Sequence, residues 1–387
     1  MPGPLAGIRV ADFSRVLAGP HATMLLADLG ADLIKIESPE GDGTRQWSPP
    51  VNAVGQSTYF AGVNRGKRSI VCDLRAPEGI ARARELALTA DVVIENFKPG
   101  TMERFGLGYA DVAAQNPGVV YCSISGFGDA AGKDLPGYDL LVQAVGGLMS
   151  ITGQPDAEGG QPTKVGVALV DVLTAKDATV GILAALATRA RTGLGQRVEV
   201  NLLSSLLGSL VNQASSFLAT GQSPGRMGNA HPSIAPYESL RCADGAIAVA
   251  CGNDGQFVRL CSVLGSPHLS ADPRFATNAN RVLNRAALVA SLEELLATNT
   301  ATHWVTALTA AGLPAGQVGD LASAFELASS LGLDPLVDVG SQVPAQVRNP
   351  ITFSATPVTD YRPPPRLGEH DDDVRRWLTT SRQEDHS

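Results

Sequence analysis

The sequence predicts an α/β fold built on a largely parallel sheet, followed by a smaller α+β domain, and three observations lead to that reading. In the first half, short apolar runs alternate with longer amphipathic ones, the rhythm of βαβ units. From about Tyr237 the texture changes to a hairpin followed by helices. At 387 residues the chain also exceeds what one ordinary core supports, so two domains are expected.

Taken in order, residues 8–12, 32–37, 69–73, 91–95 and 119–125 read as strands, short apolar runs bounded by turn residues. Residues 14–20 form the first βα turn, whose Gly19-Pro20 pair leads into a helix over 21–29 closed by Gly30. A second helix covers 77–88. The apolar run 165–170 precedes Asp171, and helical spacing of apolar residues continues from Val172 to Arg191, which places Asp171 at a strand-to-helix junction. The segment YESLRCADGAIAVACG reads as two β segments around Ala243-Asp244-Gly245. Amphipathic helices follow at 254–264, 284–297 and 300–311, and GLPAGQV returns to an extended pattern. After Gln342 the prolines 344, 350, 357 and 363–365 exclude helix and predict a segment that wraps the surface, with a last short helix within 369–386. The expected boundaries are 1–200 for the large domain, 201–226 for a linker, 227–325 for the small domain and 326–387 for a return segment completing the large domain.

Composition narrows the function classes. A hydrophobic content of 44%, 18% charge and a mean hydropathy of +0.05 describe a soluble globular protein with no membrane partner. The net charge of -8, without a basic stripe, argues against a nucleic-acid partner. Cys72, Cys122, Cys242, Cys251 and Cys261 include no CxxC pair, so neither a disulfide framework nor a metal site is expected. The N-terminus shows no secretory signal, and a cytoplasmic location is expected. GxGxxG after the first strand, GxxxxGK[ST] and HExxH are missing, and the GxSxG string at 221–225 lacks the strand-turn-helix context of a nucleophile elbow. In a parallel sheet, ligands gather at the carboxyl ends of strands, where Asp12, Phe13, Glu37, Asn96, Phe97 and Asp171 fall.

Read together, PLAGIRVADFSRVLAGP, LADLGADLIKIESPEGDGTR, NRGKRSIVCDL, ADVVIENFKPGTMERFGLGY, PGYDLLVQAVGGLMSITG, VGVALVDVLTA, RTGLGQRVEVNLLSS and PPPRLGEH resemble the class III CoA-transferase (CaiB/BaiF) family along nearly the whole chain. Within it, NLLSS, GNAHPSIAPYESL and GNDGQF are most similar to succinate-hydroxymethylglutarate CoA-transferase-like members. The resemblance implies a Rossmann-like large domain formed by both termini, an inserted small domain and an interlocked homodimer. It also implies coenzyme A as a substrate, carried as acyl-CoA, a free carboxylic acid as the second small-molecule partner, and no metal.

Residue roles follow from the same resemblance. Asp171 matches the nucleophilic aspartate, which forms a mixed anhydride and then an aspartyl-CoA thioester. Alone it reads as a helix cap, and a helix N-terminus favours its ionised form. Asp139 matches a second acidic position near the site, able to raise the nucleophile's pKa by like-charge repulsion. Leu17, Ala18, Cys72, Arg75, Asn96, Phe97, Lys98 and Arg104 match the CoA site, with the three cations suited to its phosphates. Substrate contacts fall to Tyr138, Arg45, Trp47, His231 and Tyr237. The family's racemases carry histidine where this chain has Tyr138, a poor base near neutral pH, so transfer is favoured over racemisation. A racemase or isomerase on the same fold, and a catalytically silent CoA-binding dimer, stay open as alternatives. A dicarboxylic acid such as succinate is the expected partner.

Overall fold

The computed structural model describes residues 3–340 and 343–384. β1 (Arg9–Asp12), β2 (Asp32–Glu37), β3 (Lys67–Val71), β4 (Val92–Glu95), β5 (Val120–Ser125) and β6 (Gln196–Asn201) form one sheet in the order β3-β2-β1-β4-β5-β6. Every neighbouring pair is parallel. The strand order reverses between β1 and β4, so the loops leaving these two strands diverge and open a crevice at their carboxyl ends. β3 starts two residues earlier than the sequence suggested. β6 is an addition to that reading: it is an edge strand with Gln196, Arg197 and Glu199 exposed, and charged edges mimic loops in sequence.

Two helices differ from expectation in ways that matter for the crevice. The first spans Ala18–Asp28, so Gly19 and Pro20 lie inside its opening turn, where backbone N–H groups have no intrahelical acceptor and proline is tolerated. Gly19 is required there because a Cβ would lie 2.2 Å from the Ser14 Cβ. Residues 165–170 do not form a strand. No neighbouring strand pairs with them; Val165 N–H donates instead to Gln143 Oε1 at 2.9 Å. The helix Leu169–Thr192 begins with Ala168 as its N-cap, which makes Asp171 the third helical residue rather than the junction itself.

The chain divides into two compact units, the first comprising Met1–Leu148, Lys164–Gln222 and Asp334–Ser387, the second Met149–Thr163 and Ser223–Leu333. In the first, residues expected to be a linker form the helices Leu202–Ser209 and Val211–Thr220. The proline-rich segment returns along β3: Gly66 N–H donates to Arg362 O, and His370 N–H to Ser69 O. Its short β10 (Leu336–Val337) and β11 (Gln346–Val347) pair antiparallel, and Arg65 donates to Val347 O at 2.7 Å. The closing helix Asp371–Glu384 buries Val374 and Leu378 against Ile70, Leu86 and Val93; His386, where the expected helix ended, lies outside the described residues.

The second unit holds the antiparallel sheet β7 (Tyr237–Arg241), β8 (Ala246–Ala250) and β9 (Ala315–Gln317). Helices Asp254–Val263, Arg285–Leu296 and Ala301–Ala310 enclose its core around Ile247, Phe257, Leu292 and Leu308. Among the described residues no single helix is long and apolar enough to cross a membrane.

Candidate active site

In the first unit, the loops after β1, β4 and β5 surround a cavity of about 630 Å³ into which Asp171 also faces. Its wall includes Leu17 and Ala18 from the first loop, Asn96 and Lys98 from the second, and Tyr138 from the third. The third loop closes on itself at its base, where Gly126 and Gly137 cross so tightly that a Cβ on either would lie 2.5 Å from the other's Cα.

Asp171 is 9% exposed, and no cation pairs with it among the described residues. Burial, and then the charge of Asp139, push its carboxyl up to about 7. The helix N-terminus was expected to favour the ionised form, but its amides at residues 170 and 171 donate to another carboxylate. Asp139 Oδ1 accepts the N–H groups of Val170, at 2.8 Å, and of Asp171, at 3.3 Å. Its Oδ2 accepts from Gln143 Nε2 at 2.6 Å. Asp139 thus takes the amides at the start of this helix, while Asp171 points away from them into the cavity. Gln143, fully buried one turn along from Asp139 in the helix Asp139–Val145, ties the same carboxylate to residue 165 through its Oε1.

Two neighbours of this centre were missed in sequence. Gln143 was legible only as a polar residue four positions after Asp139. Tyr59 sits half-buried in the helix Thr58–Ala61, and burial together with the charges of Asp171 and Asp139 pushes its hydroxyl up to about 12. Its ring meets Trp47 edge-on, with centroids 4.9 Å apart. In sequence, TYFAG offers no more than an apolar turn.

Seven of the eight residues expected at CoA divide between two adjoining cavities, and Arg104 lines neither. Leu17, Ala18, Asn96 and Lys98 border the larger one. Cys72 and Arg75 border a second, of about 290 Å³, and Phe97 lines both. The Arg15 guanidinium stacks over Phe97 at 4.5 Å and also lines both, so this pair forms part of the partition. Arg75 pairs with Asp73 and Glu40, Lys98 with Asp134, and exposed Arg104 donates to Thr101 Oγ1. Asn96 is engaged with Arg15, accepting from its N–H and donating to its carbonyl.

Of the residues expected to meet substrate, Tyr138 is 63% exposed, and it and Trp47 line the larger cavity. Arg45 is held elsewhere: it grips Glu37 with two hydrogen bonds, stacks on Phe60 and donates to Pro365 O. His231 and Tyr237 belong to the second unit, where their rings lie 5.2 Å apart. There Arg285 donates to the carbonyls of His231 and Ile234, and Asn278 to that of Ser233.

The chain matches the model of CoA-transferase family III over residues 5–371. It is 44% identical to the succinate–glutarate CoA-transferase of Agrobacterium fabrum, over 97% of this chain and 96% of that protein. Identity to the acetyl-CoA:oxalate CoA-transferase of Acetobacter aceti is 40%, over 97% and 95% of the two chains. The crystal structure of a CaiB/BaiF family protein from Brucella suis superposes with a TM-score of 0.87 at 44% identity, covering 98% of this chain and 100% of that one. With the family model spanning nearly the whole chain and the relatives alike along their full length, the chain belongs to CoA-transferase family III.

Proposed function

We propose that this family III CoA-transferase moves CoA between carboxylic acids through covalent intermediates on Asp171, with a dicarboxylic acid such as succinate as one partner. The observation that carries the reading is Asp171 itself, a buried carboxylate without a cationic partner among the described residues, facing a cavity wide enough for a ligand. The names of the relatives, which act on succinate, glutarate and oxalate, support the acid class.

The chemistry balances without a cofactor. An Asp171 oxygen attacks the thioester carbonyl, the C–S bond breaks, and CoA leaves as thiolate, giving a mixed anhydride. The thiolate attacks Cγ of Asp171 and expels the donor acid as its carboxylate. The acceptor carboxylate then attacks Cγ and releases the thiolate, which takes the new acyl group and frees Asp171. Each step exchanges one activated acyl group for another. The protein's part is to hold the groups together and keep water from Cγ.

The adjoining cavities fit one extended ligand: the CoA nucleotide beside Cys72 and Arg75, and the thioester arm passing Phe97 toward Leu17, Ala18 and Asp171. Tyr138 and Trp47 then border the acyl group, and Asp139 acts by holding the helix that presents the nucleophile. The sheet order supports a Rossmann-like description. Exposed apolar side chains such as Leu218, Leu321 and Leu327 support a homodimer, and five free cysteines a reducing, cytoplasmic setting.

The test is a transfer panel: purified protein, succinyl-CoA and varied free acids, with products read by mass spectrometry. New acyl-CoA from at least one dicarboxylic acid is expected, and its loss in Asp171→Ala. If no acid accepts CoA from any thioester, or if Asp171→Ala keeps full activity, the reading is wrong.

A further inference from the structure

The loop that brings Leu17 and Ala18 to the cavity is held in a backbone conformation its own sequence resists. Val16 has a φ of 69°, and the left-handed region is unfavourable for a β-branched side chain. Three successive N–H groups of this loop donate to side-chain oxygens rather than to backbone. Ser14 N–H reaches Asp12 Oδ1 at 2.9 Å, Arg15 N–H reaches Asn96 Oδ1 at 2.8 Å, and Val16 N–H reaches Asp42 Oδ2 at 3.2 Å. The carbonyls are caught as well: Ser14 O accepts from Lys35 Nζ at 2.9 Å and Arg15 O from Asn96 Nδ2 at 2.7 Å.

Behind the loop lie two ion pairs whose side chains are wholly inaccessible, Lys35 with Asp42 at 3.0 Å and Lys67 with Asp12 at 3.2 Å. Asp42 also accepts from Thr44 N–H and Oγ1, and Asp12 from Thr23 Oγ1. A buried ion pair adds little net stability over an apolar pair of the same volume, because desolvating both charges offsets their attraction. The transfer chemistry does not use these four groups. What they do touch is the loop, at the residue with the disfavoured φ and at its flanks.

We propose that Lys35 and Asp42 are positioning residues for the transfer reaction: their buried ion pair holds Val16 left-handed, so that the wall formed by Leu17 and Ala18 faces Asp171 before substrate arrives. Lys35 acts twice, on the Ser14 carbonyl directly and on the Val16 amide through Asp42. A loop released from Asp42 relaxes Val16 toward negative φ and turns the next two residues away from their place on the wall. The inference rests on the reading of Asp171 as nucleophile.

The experiment compares Asp42→Asn, Lys35→Met and Val16→Gly, singly and combined, by kcat and KM for succinyl-CoA with glutarate and by hydrogen exchange of the peptide carrying Val16 and Leu17. Asp42→Asn is expected to lower kcat about 100-fold with a smaller change in KM, and to speed exchange at Val16. Adding Val16→Gly to Asp42→Asn is expected to restore most of the lost turnover, because glycine reaches this φ unaided; a pair acting only on stability would give no such rescue. Failure of the double variant to exceed Asp42→Asn overturns the proposal, as does full turnover in Asp42→Asn. If the charge variants do not fold, Val16→Pro decides: it leaves both ion pairs intact but fixes φ on the negative side, so a folded protein with full turnover overturns the proposal and one with the same loss of kcat supports it. If the wild type transfers no CoA, the reading of Asp171 fails. Exchange at Val16 then still decides the positioning role, since unchanged exchange in Asp42→Asn contradicts it and faster exchange upholds it.

Discussion

At the residue scale, the role proposed for Asp171 sets two opposed demands, since a carboxylate attacks best when it is ionised and poorly solvated, and burial disfavours the ion. With its carboxyl pushed up to about 7, transfer is expected to rise with pH through a midpoint near 7. Asp139→Asn, by removing the like charge, moves that midpoint down. The pH profile of kcat/KM checks both, and a flat profile between about pH 6 and 8 would contradict them. The stability consequence has the opposite sign. The folded state holds this proton to higher pH than the unfolded chain, so wild-type stability falls as pH rises from about 4 to about 7 and stays reduced above. Asp171→Asn should therefore be more stable than wild type at pH 8, by on the order of 4 kcal/mol at most, and no more stable at pH 4. Urea unfolding at the two pH values measures it. Asp171 was legible because it stands in VALVD within a run of recognisable segments. Lys35 and Lys67 were not, because a lysine in a strand reads as solvent-facing, and only packing reveals that both are shut away.

At the element scale, the junction around Asp171 is built by a side-chain relay, not by a strand. Gln143 and Asp139 lie one helical turn apart, and together they bind the amides of residues 165, 170 and 171. Removing Gln143 leaves a half-buried carboxylate oxygen and a half-buried amide short of partners, so Gln143→Ala is expected to lower stability by about 1–2 kcal/mol. A larger loss of turnover is expected with it, as the helix start loosens; thermal unfolding and transfer kinetics on the same preparation separate the two. The sequence-based reading made residues 165–170 a strand because five apolar residues in six look like one. Periodicity carries no information about whether a partner strand exists, and here the hydrogen bonds go to Gln143. The same blindness hid β6, whose charged edge positions resemble a loop.

At the scale of the whole molecule, the last fifty residues complete a core begun by the first hundred. Prolines announced a segment that wraps, but which surface it covers depends on contacts such as His370 with Ser69, separated by 301 positions in the chain, beyond what local pattern encodes. Leu378→Ala, far in sequence from the strands it covers, is expected to cost about 2–5 kcal/mol in urea unfolding. A variant with unchanged stability would show that the closing helix is dispensable to the core. The crossing of Gly126 and Gly137 bears on how such an enzyme diversifies. Because the chain re-enters almost where it left, residues 127–136 form a cassette hung from a fixed clasp, and loop-closure entropy grows only slowly with added length. A longer or shorter cassette leaves the start of the Asp139 helix, and with it Asp171, where it is. The segment between the two glycines is thus free to vary in length and sequence while the fold beneath it keeps its course.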